Sequence, residues 1–406
     1  MASDNQTSGY FKLGGTHHYH PLQNFRLLEC GQEYFPALEL AISQAKQSIC
    51  LEVYIYANDE IGQRISEALV TAADRGVQVK IIVDWVGSPS LAFVERWKAA
   101  RIEFRYYNPS WIGVYGITRT HRKLVAIDGN QAFVGGINIC SDYLDVSGRK
   151  LSSARWDFAL QVGGLLAQEI QHAFDWQWDR INGAKFKWHR LNSPYSARKT
   201  SLFDLSQEGV GAFIARDNFH YRRDIEKAYL KTIGAAKSEI YLVNPYFLPG
   251  RKLKNALLSA AKRGVRVNLM VGVGQFKWFD YAVKAIYGML LKGGVVLYEY
   301  IGSELHGKIL VADQQWFTVG SSNCDPLSFL VNHEANLIVL DKKQASWLIE
   351  KIDHEIKVNG RLVDSAKYFN RSLIEKISQW FMYVVSRILT KVLVQGVKTK
   401  VTVSKE

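Results

Sequence analysis

Long uncharged apolar runs are missing from this chain of 406 residues: no stretch of 18 or more residues is free of charge, which argues against a membrane-spanning helix. The first 24 residues are polar and lack the apolar segment of an export signal, so neither a spanning anchor nor an export leader is expected. Cysteine is scarce. Cys30, Cys50, Cys140 and Cys324 are scattered and lie mostly in apolar runs, which excludes a disulfide framework and reads as reduced core positions of an intracellular protein. Metal and nucleotide signatures are also missing, with no Cys-x2-Cys, no His-Glu-x2-His and no glycine-rich phosphate loop. The tract His17, His18 and His20 sits in the polar leader with no acidic or cysteine partner nearby, so no metal and no cofactor are expected.

What is present is globular and basic. A hydrophobic share of 48% and an aromatic share of 12% are enough for two units with their own cores. The net charge of +13 calls for an anionic partner, for which nucleic acid and an acidic lipid surface both qualify.

The strongest signal is a repeat. His-x-Lys-x4-Asp occurs at His121, Lys123 and Asp128 and again at His306, Lys308 and Asp313. One copy of three spaced residue types is weak evidence, but each copy is followed at the same distances by a glycine and an asparagine, Gly135 and Asn138, then Gly320 and Asn323. In both, an apolar run joins the lysine to the aspartate and reads as a buried strand ending in a turn. The duplication extends upstream. Ala72-Ala73-Asp74-Arg75-Gly76-Val77 leads into Gln78–Val83, and Ala260-Ala261-Lys262-Arg263-Gly264-Val265 leads into Arg266–Val271. Each is a helix ended by glycine and followed by a β-branched strand, the grammar of a βαβ unit. The fold class is therefore α/β: two repeated α/β units related by a pseudo-twofold that brings the motifs face to face.

These residue types suit phosphodiester chemistry. An imidazole is a competent nucleophile toward phosphorus when its other nitrogen is held by a carboxylate. A second, protonated imidazole can give its proton to the leaving alkoxide and later accept one from the incoming hydroxyl. Lys123 and Lys308 can neutralise the nonbridging oxygens, and Asn138 and Asn323 can donate to the same atoms. A lone histidine in an apolar strand is usually a satisfied core residue; two in register reverse that expectation.

The paired motifs resemble the phospholipase D superfamily, and within it the bacterial cardiolipin synthases of the short type without N-terminal transmembrane helices. The likeness covers most of residues 25 to 345. Asn244-Pro245-Tyr246-Phe247-Leu248-Pro249 looks like the Pro-Tyr-Phe-x-Pro segment of those enzymes, and Asn332-His333-Glu334-Ala335-Asn336 like their Asn-x-Glu element. Arg155-Trp156-Asp157, then Gly163, Phe174 and Trp178, fit the pattern in the first half. Two departures stand out: Gly135-Gly136 replaces the Gly-Ser found at Gly320-Ser321, and the acidic residue follows the histidine at a longer distance in the first half. The resemblance implies a mixed sheet flanked by helices in each unit. It also implies that Asp128 and Asp313 hold the architecture away from the reacting groups, that Asp157 and Glu334 support the histidines, and that His121 is the nucleophile with His306 as acid and base. The residues alone do not fix that order.

The repeat sets the boundaries at 1–24 (leader), 25–184 (first unit), 185–214 (linker), 215–345 (second unit) and 346–406 (helical C-terminal region). From Leu373 apolar residues recur at Ile374, Ile377, Trp380, Phe381, Val384, Val385, Ile388, Leu389, Val392 and Leu393, an apolar stripe along a helix followed by Lys398, Lys400 and Lys405. Such a helix either lies in the interface of an anionic bilayer or docks on its own domain or a second subunit. Pro109–Ile117 and Phe276-Lys277-Trp278-Phe279 are candidates for the mouth of an acyl-chain groove, or pack inside the fold.

The leading expectation is a peripheral membrane phosphatidyltransferase, on the cytoplasmic side of the inner membrane. It would join two phosphatidylglycerol molecules into cardiolipin, with phosphatidylethanolamine as a further donor and no nucleic acid partner. The alternatives are a phospholipase D-type hydrolase or nuclease, and a noncatalytic scaffold, which the intact motif positions disfavour.

Overall fold

The computed structural model describes residues 18–110, 116–145, 147–181, 208–218 and 221–403. The first half runs β1 (His20–Pro21), β2 (Arg26–Glu29), α1 (Cys30–Gln44), β3 (Ser48–Val53), α2 (Glu60–Asp74), β4 (Gln78–Asp84), α3 (Val94–Ala99), β5 (Glu103–Tyr107), β6 (Leu124–Ile127), β7 (Gln131–Gly135), β8 (Phe158–Gly163) and α4 (Leu165–Ile181). The second half runs β9 (Val210–Arg216), α5 (Asp224–Ala235), β10 (Glu239–Asn244), α6 (Arg251–Lys262), β11 (Arg266–Gly272), α7 (Lys277–Lys292), β12 (Val296–Tyr300), β13 (Ile309–Ala312), β14 (Trp316–Gly320), α8 (Pro326–Leu330), β15 (Glu334–Leu340), α9 (Lys342–Asn359), β16 (Gly360–Leu362), α10 (Ser365–Phe369) and α11 (Leu373–Val403).

Two sheets repeat one topology. The first has the order β2-β8-β7-β6-β3-β4-β5, and the second contains the matching series β9-β15-β14-β13-β10-β11-β12, extended at its edges by β1 and β16. In both, the βαβ units make the parallel half (β3-β4-β5, β10-β11-β12), and antiparallel neighbours make the rest. The helix-then-glycine pattern takes the expected form: Gly76 and Gly264 adopt left-handed φ values of 91° and 89° at the ends of α2 and α6. Asp59 caps the start of α2 by accepting from the Gly62 amide at 2.9 Å.

Strands such as β10 are buried along their whole length, because each sheet is covered on both faces. The central core lies between the sheets, where Leu124, Val134 and Leu160 of one meet Val243, Val311 and Val319 of the other, with α4 and α9 alongside. Separate outer cores pack α1, α2 and α3 on the first sheet and α5, α6 and α7 on the second. Each fully buried aliphatic side chain contributes roughly 1.5–3 kcal/mol, so the layer between the sheets holds the halves in one register.

The far C-terminus breaks the usual pattern of burial. Helix α11 lies along α7 and against α8 with its polar side turned in: Gln379 and Ser386 are buried, whereas Ile374 is 79% exposed and Trp380 63% exposed. Its stretch Leu373–Val394 is long and apolar enough to cross a membrane, although Lys376, Arg387 and Lys391 interrupt it. Of the two candidate groove segments, Pro109–Ile117 falls largely outside the described residues, as does most of the polar 185–214 connection; Phe276–Phe279 forms the start of α7.

Gly135 and Gly320 end equivalent strands where the neighbouring strand passes too close for a side chain. A Cβ would come within 2.4 Å of the Phe158 carbonyl oxygen in one and of the Ala335 carbonyl oxygen in the other. Gly135→Ala and Gly320→Ala are each expected to destabilise the protein by about 1–3 kcal/mol, read as a lowered urea midpoint without a change of slope.

Candidate active site

The loops before β6 and β13 carry the two histidines to one place, because each is paired with the opposite half. The His121 amide donates to the His333 carbonyl at 2.8 Å, and the His333 amide donates to the Arg119 carbonyl at 2.8 Å. The equivalent clamp joins the His306 amide to the Trp156 carbonyl at 2.9 Å and the Trp156 amide to the Glu304 carbonyl at 2.9 Å. Because residues 156 and 333 precede the acidic positions, the carboxylates are delivered across the twofold. His121 Nδ1 lies 3.0 Å from Glu334 Oε2, and His306 Nδ1 lies 2.6 Å from Asp157 Oδ2.

This crosswise pairing is not readable from the chain, where each acid follows the histidine of its own half. It also explains the Gly-Gly departure. A Cβ on Gly136 would meet Asp157 Oδ1 at 2.2 Å, so the shorter acid occupies that space; at the equivalent place Ser321 Oγ hydrogen-bonds Glu334 Oε2. Asp157 Oδ1 accepts from the Phe158 amide at 2.8 Å.

Electrostatics fix the tautomers. Burial pulls both imidazoles below the ordinary histidine range, His306 to about 3, despite the opposing pull of the carboxylates. Burial alone would raise Asp157 and Glu334, but Lys308 and His306 hold the first below its usual value, and His121 and Lys123 do so for the second. Each acid is therefore held as the carboxylate, with Nδ1–H of its histidine donating to it and Nε2 left for the cavity.

Lys123 and Lys308 are buried beneath the histidines. Lys123 Nζ donates to the His121 carbonyl at 2.7 Å and Lys308 Nζ to the His306 carbonyl. Burial lowers them to about 7 and about 8, so an arriving anion strengthens their protonation.

Asp128 and Asp313 are not brought to this place. Each sits in the turn at the other end of its strand, roughly 16 Å along the chain from its lysine at 3.3 Å per residue, with left-handed φ values of 52° and 50°. Asp128 accepts from the amides of Lys46, Gln47 and Ser48 at 2.8–2.9 Å, and Asp313 from those of Lys237, Ser238 and Glu239 at 2.8–3.0 Å. They tie β6 and β13 to the starts of β3 and β10.

A cavity of about 1380 Å³ opens over the histidines and is lined by Asn138 and Asn323 as well. Asn138 Oδ1 accepts from the Ile55 amide at 3.1 Å, whereas the buried Asn323 Oδ1 has no hydrogen-bond partner among the described residues. One wall is apolar, with Tyr246, Leu248, Phe276, Trp278 and Phe279 beside Leu389 and Leu393 of α11. Tyr54, which carries no motif signal, stacks edge-on to His121 at 5.0 Å and also lines the cavity. Among the histidines of the leader, His20 is engaged elsewhere, with Glu169 at 3.0 Å.

Two imidazole–carboxylate pairs sharing one cavity between duplicated α/β sheets define a phospholipase D-like protein. The fold is shared with the crystal structure of phosphatidylserine synthase from Haemophilus influenzae Rd KW20, with a TM-score of 0.66 over 92% of this chain and 96% of that one, at 15% identity. Residues 38–178 and 229–356 match the family described as "Cardiolipin synthase, PLD-like domain", and the chain belongs to that family. It is 37% identical to cardiolipin synthase B of Salmonella typhi over 87% of this chain and 84% of that protein. It is 30% identical to a cardiolipin synthase of Clostridium perfringens strain SM101, over 87% and 75% respectively.

The Asp128 carboxylate is held below its usual range: its three amide hydrogen bonds outweigh the upward pull of burial. Its folded value thus lies below its unfolded one, so its contribution to stability is present above about pH 4 and is lost as pH falls through the folded value. Asp128→Ala is expected to cost about 1–2 kcal/mol near neutral pH, and the gap from wild type in denaturant titrations should narrow below about pH 4.

Proposed function

We propose that this chain transfers a phosphatidyl group between two phosphatidylglycerol molecules, giving cardiolipin and glycerol. The observation that carries the reading is the pair of imidazoles held crosswise by ionised carboxylates at the base of a cavity with an apolar wall. His121 Nε2 attacks the phosphorus while the bond to the glycerol oxygen breaks and His306 Nε2 gives that oxygen a proton. The resulting phosphatidyl-histidine is resolved when a hydroxyl of the second phosphatidylglycerol, giving its proton back to His306, attacks the same phosphorus. Glu334 stabilises the charge that His121 gains, and Asp157 does the same for His306. Lys123 and Lys308 place positive charge beneath the nonbridging oxygens, and Asn138 and Asn323 donate to them. The negative charge of the arriving diester favours the imidazolium form of His306, against the burial that disfavours it.

A hydrolase or nuclease would use the same histidines with water or a polynucleotide. The aromatic and aliphatic wall, shared with α11, favours phospholipid over nucleic acid, whose groove would interleave cations with aromatics. Water entering the phosphatidyl-histidine stage would yield phosphatidic acid, so an apolar wall also protects transfer.

The protein works, in this reading, at the cytoplasmic surface of the inner membrane on anionic phospholipids, with phosphatidylethanolamine as a further donor. The support is the outward apolar side of α11. Leu373, Ile374, Ile377, Trp380, Phe381, Ile388 and Val392 are all more than half exposed, with Lys376, Arg387 and Lys391 beside them. Such a side is covered by the acyl boundary of an anionic bilayer. Leu389 and Leu393 of the same helix line the cavity, which sets its opening against the lipid.

Incubation with phosphatidylglycerol vesicles, without added metal or nucleotide, should give cardiolipin and glycerol by mass spectrometry. His306→Ala is expected to lower the rate by about 10²–10⁴-fold and His121→Ala to abolish it; phosphatidic acid as the sole product would make the enzyme a lipase instead. The triple change Ile374→Asp, Ile377→Asp, Phe381→Asp should weaken co-sedimentation with phosphatidylglycerol vesicles by about tenfold or more. A shift in oligomeric state on sedimentation, with vesicle binding intact, would assign that side to a second copy.

A further inference from the structure

The pseudo-twofold repeats every motif residue of the site but not its rim. Position 119 in the first half corresponds to 304 in the second, and 155 corresponds to 332, because the two backbone clamps are equivalent. All four residues line the cavity, yet the pairs differ: Arg119 and Asn332 flank the backbone clamp at His121, whereas Glu304 and Arg155 flank the clamp at His306. The catalytic groups are symmetric and their surroundings are not, so the cavity has a direction.

The Glu304 side is a built feature. Arg155 Nε donates to Glu304 Oε2 at 2.8 Å, and its other nitrogens reach the Leu144 carbonyl at 2.5 Å and the Ser141 carbonyl at 3.4 Å. Those contacts engage the guanidinium and brace the carboxylate, whose side chain is only 14% exposed. The second carboxylate oxygen, Oε1, makes no hydrogen bond among the described residues, and Tyr246 shares this wall. A braced carboxylate repels phosphate oxygens and accepts hydrogen bonds from hydroxyls. The opposite rim has no carboxylate at the matching position: Arg119 stands there, its guanidinium donating to the Asn108 and Ser110 carbonyls at 3.3 and 2.9 Å, with Asn332 in the place of Arg155.

Displacement at phosphorus is in line, so the leaving oxygen points away from the attacking imidazole. With His121 as nucleophile, the headgroup alcohol lies on the His306 side. We infer that Glu304, braced by Arg155, forms a subsite for the neutral polyol of the headgroup, holding the departing glycerol and then the glycerol end of the acceptor. This assignment rests on the phosphatidyl-transfer reading. In the first step the His121 Nε2–P bond forms, the P–O bond to glycerol breaks, and the proton on His306 Nε2 passes to that oxygen while Glu304 accepts from the neighbouring hydroxyls. The second step reverses these transfers with a new alcohol in the same place.

The test compares two short-chain donors in detergent, phosphatidylglycerol and phosphatidyl-4-nitrophenol, the second of which leaves without hydroxyls. Glu304→Gln in the full chain is expected to lower the ratio of kcat/KM for the glycerol donor over the nitrophenyl donor by about tenfold or more. Glu304→Asp, which keeps the charge with a shorter reach, should give an intermediate ratio and supplies the same comparison if the glutamine variant does not fold. An unchanged ratio, with both donors slowed alike or neither slowed, would overturn the subsite and leave the ion pair as a structural brace. Failure of the wild type to turn over either donor would instead sink the transfer reading itself.

Discussion

The hydrogen bond from each imidazole to the carboxylate of the opposite half is the constraint on which the rest of the structure depends. It demands that two sheets built from separate stretches of chain meet in one register, to within the tolerance of a 2.6–3.0 Å contact. The core between the sheets supplies the register and the reciprocal backbone clamps supply the last ångströms. Once the carboxylates are buried and ionised, the tautomer of each imidazole follows, and so does the basic nitrogen that faces the cavity. The lysines answer the same charge balance from below: two cations and two anions in a buried space cost far less together than any one of them alone.

Much of this was legible in the chain because the signal is a repeat. The two His-x-Lys-x4-Asp strings, the glycine-ended helices and the β-branched strands after them specified both sheets, since local grammar and burial on both faces agree there. The histidines, lysines and asparagines stood out in the sequence for the same reason. The pairing of His121 with Glu334 and of His306 with Asp157 was not legible, because a twofold axis acts between halves and leaves no mark on spacing within either one. Tyr54 escaped notice because an aromatic at a strand end has no pattern of its own. The Gly136 departure, which in the sequence is only a mismatch, has a steric cause that requires the position of Asp157.

Helix α11 shows the opposite case. Its apolar spacing was plain, but the direction in which the stripe points is a tertiary fact. Apolar periodicity ordinarily marks the face turned to the core. Here the fully buried positions are Gln379 and Ser386, beside Tyr383 packed on the second outer core, and most of the apolar row is left outside. The reversal is decided by the surface of α7 and α8 against which the helix lies.

Crosswise pairing also bears on ancestry. A single half would carry a histidine with no acid to orient it and an acid with no histidine to serve, so it becomes competent only against another copy of itself. In such an assembly any change to one centre is imposed on the other. Joining the halves in one polypeptide lifts that restriction, and the traces are visible: Gly136 with Asp157 on one side, Ser321 with Glu334 on the other, and a rim with Arg119 at one end and the Arg155–Glu304 ion pair at the other. The covalent link thus let the two halves of one catalytic site change independently of each other.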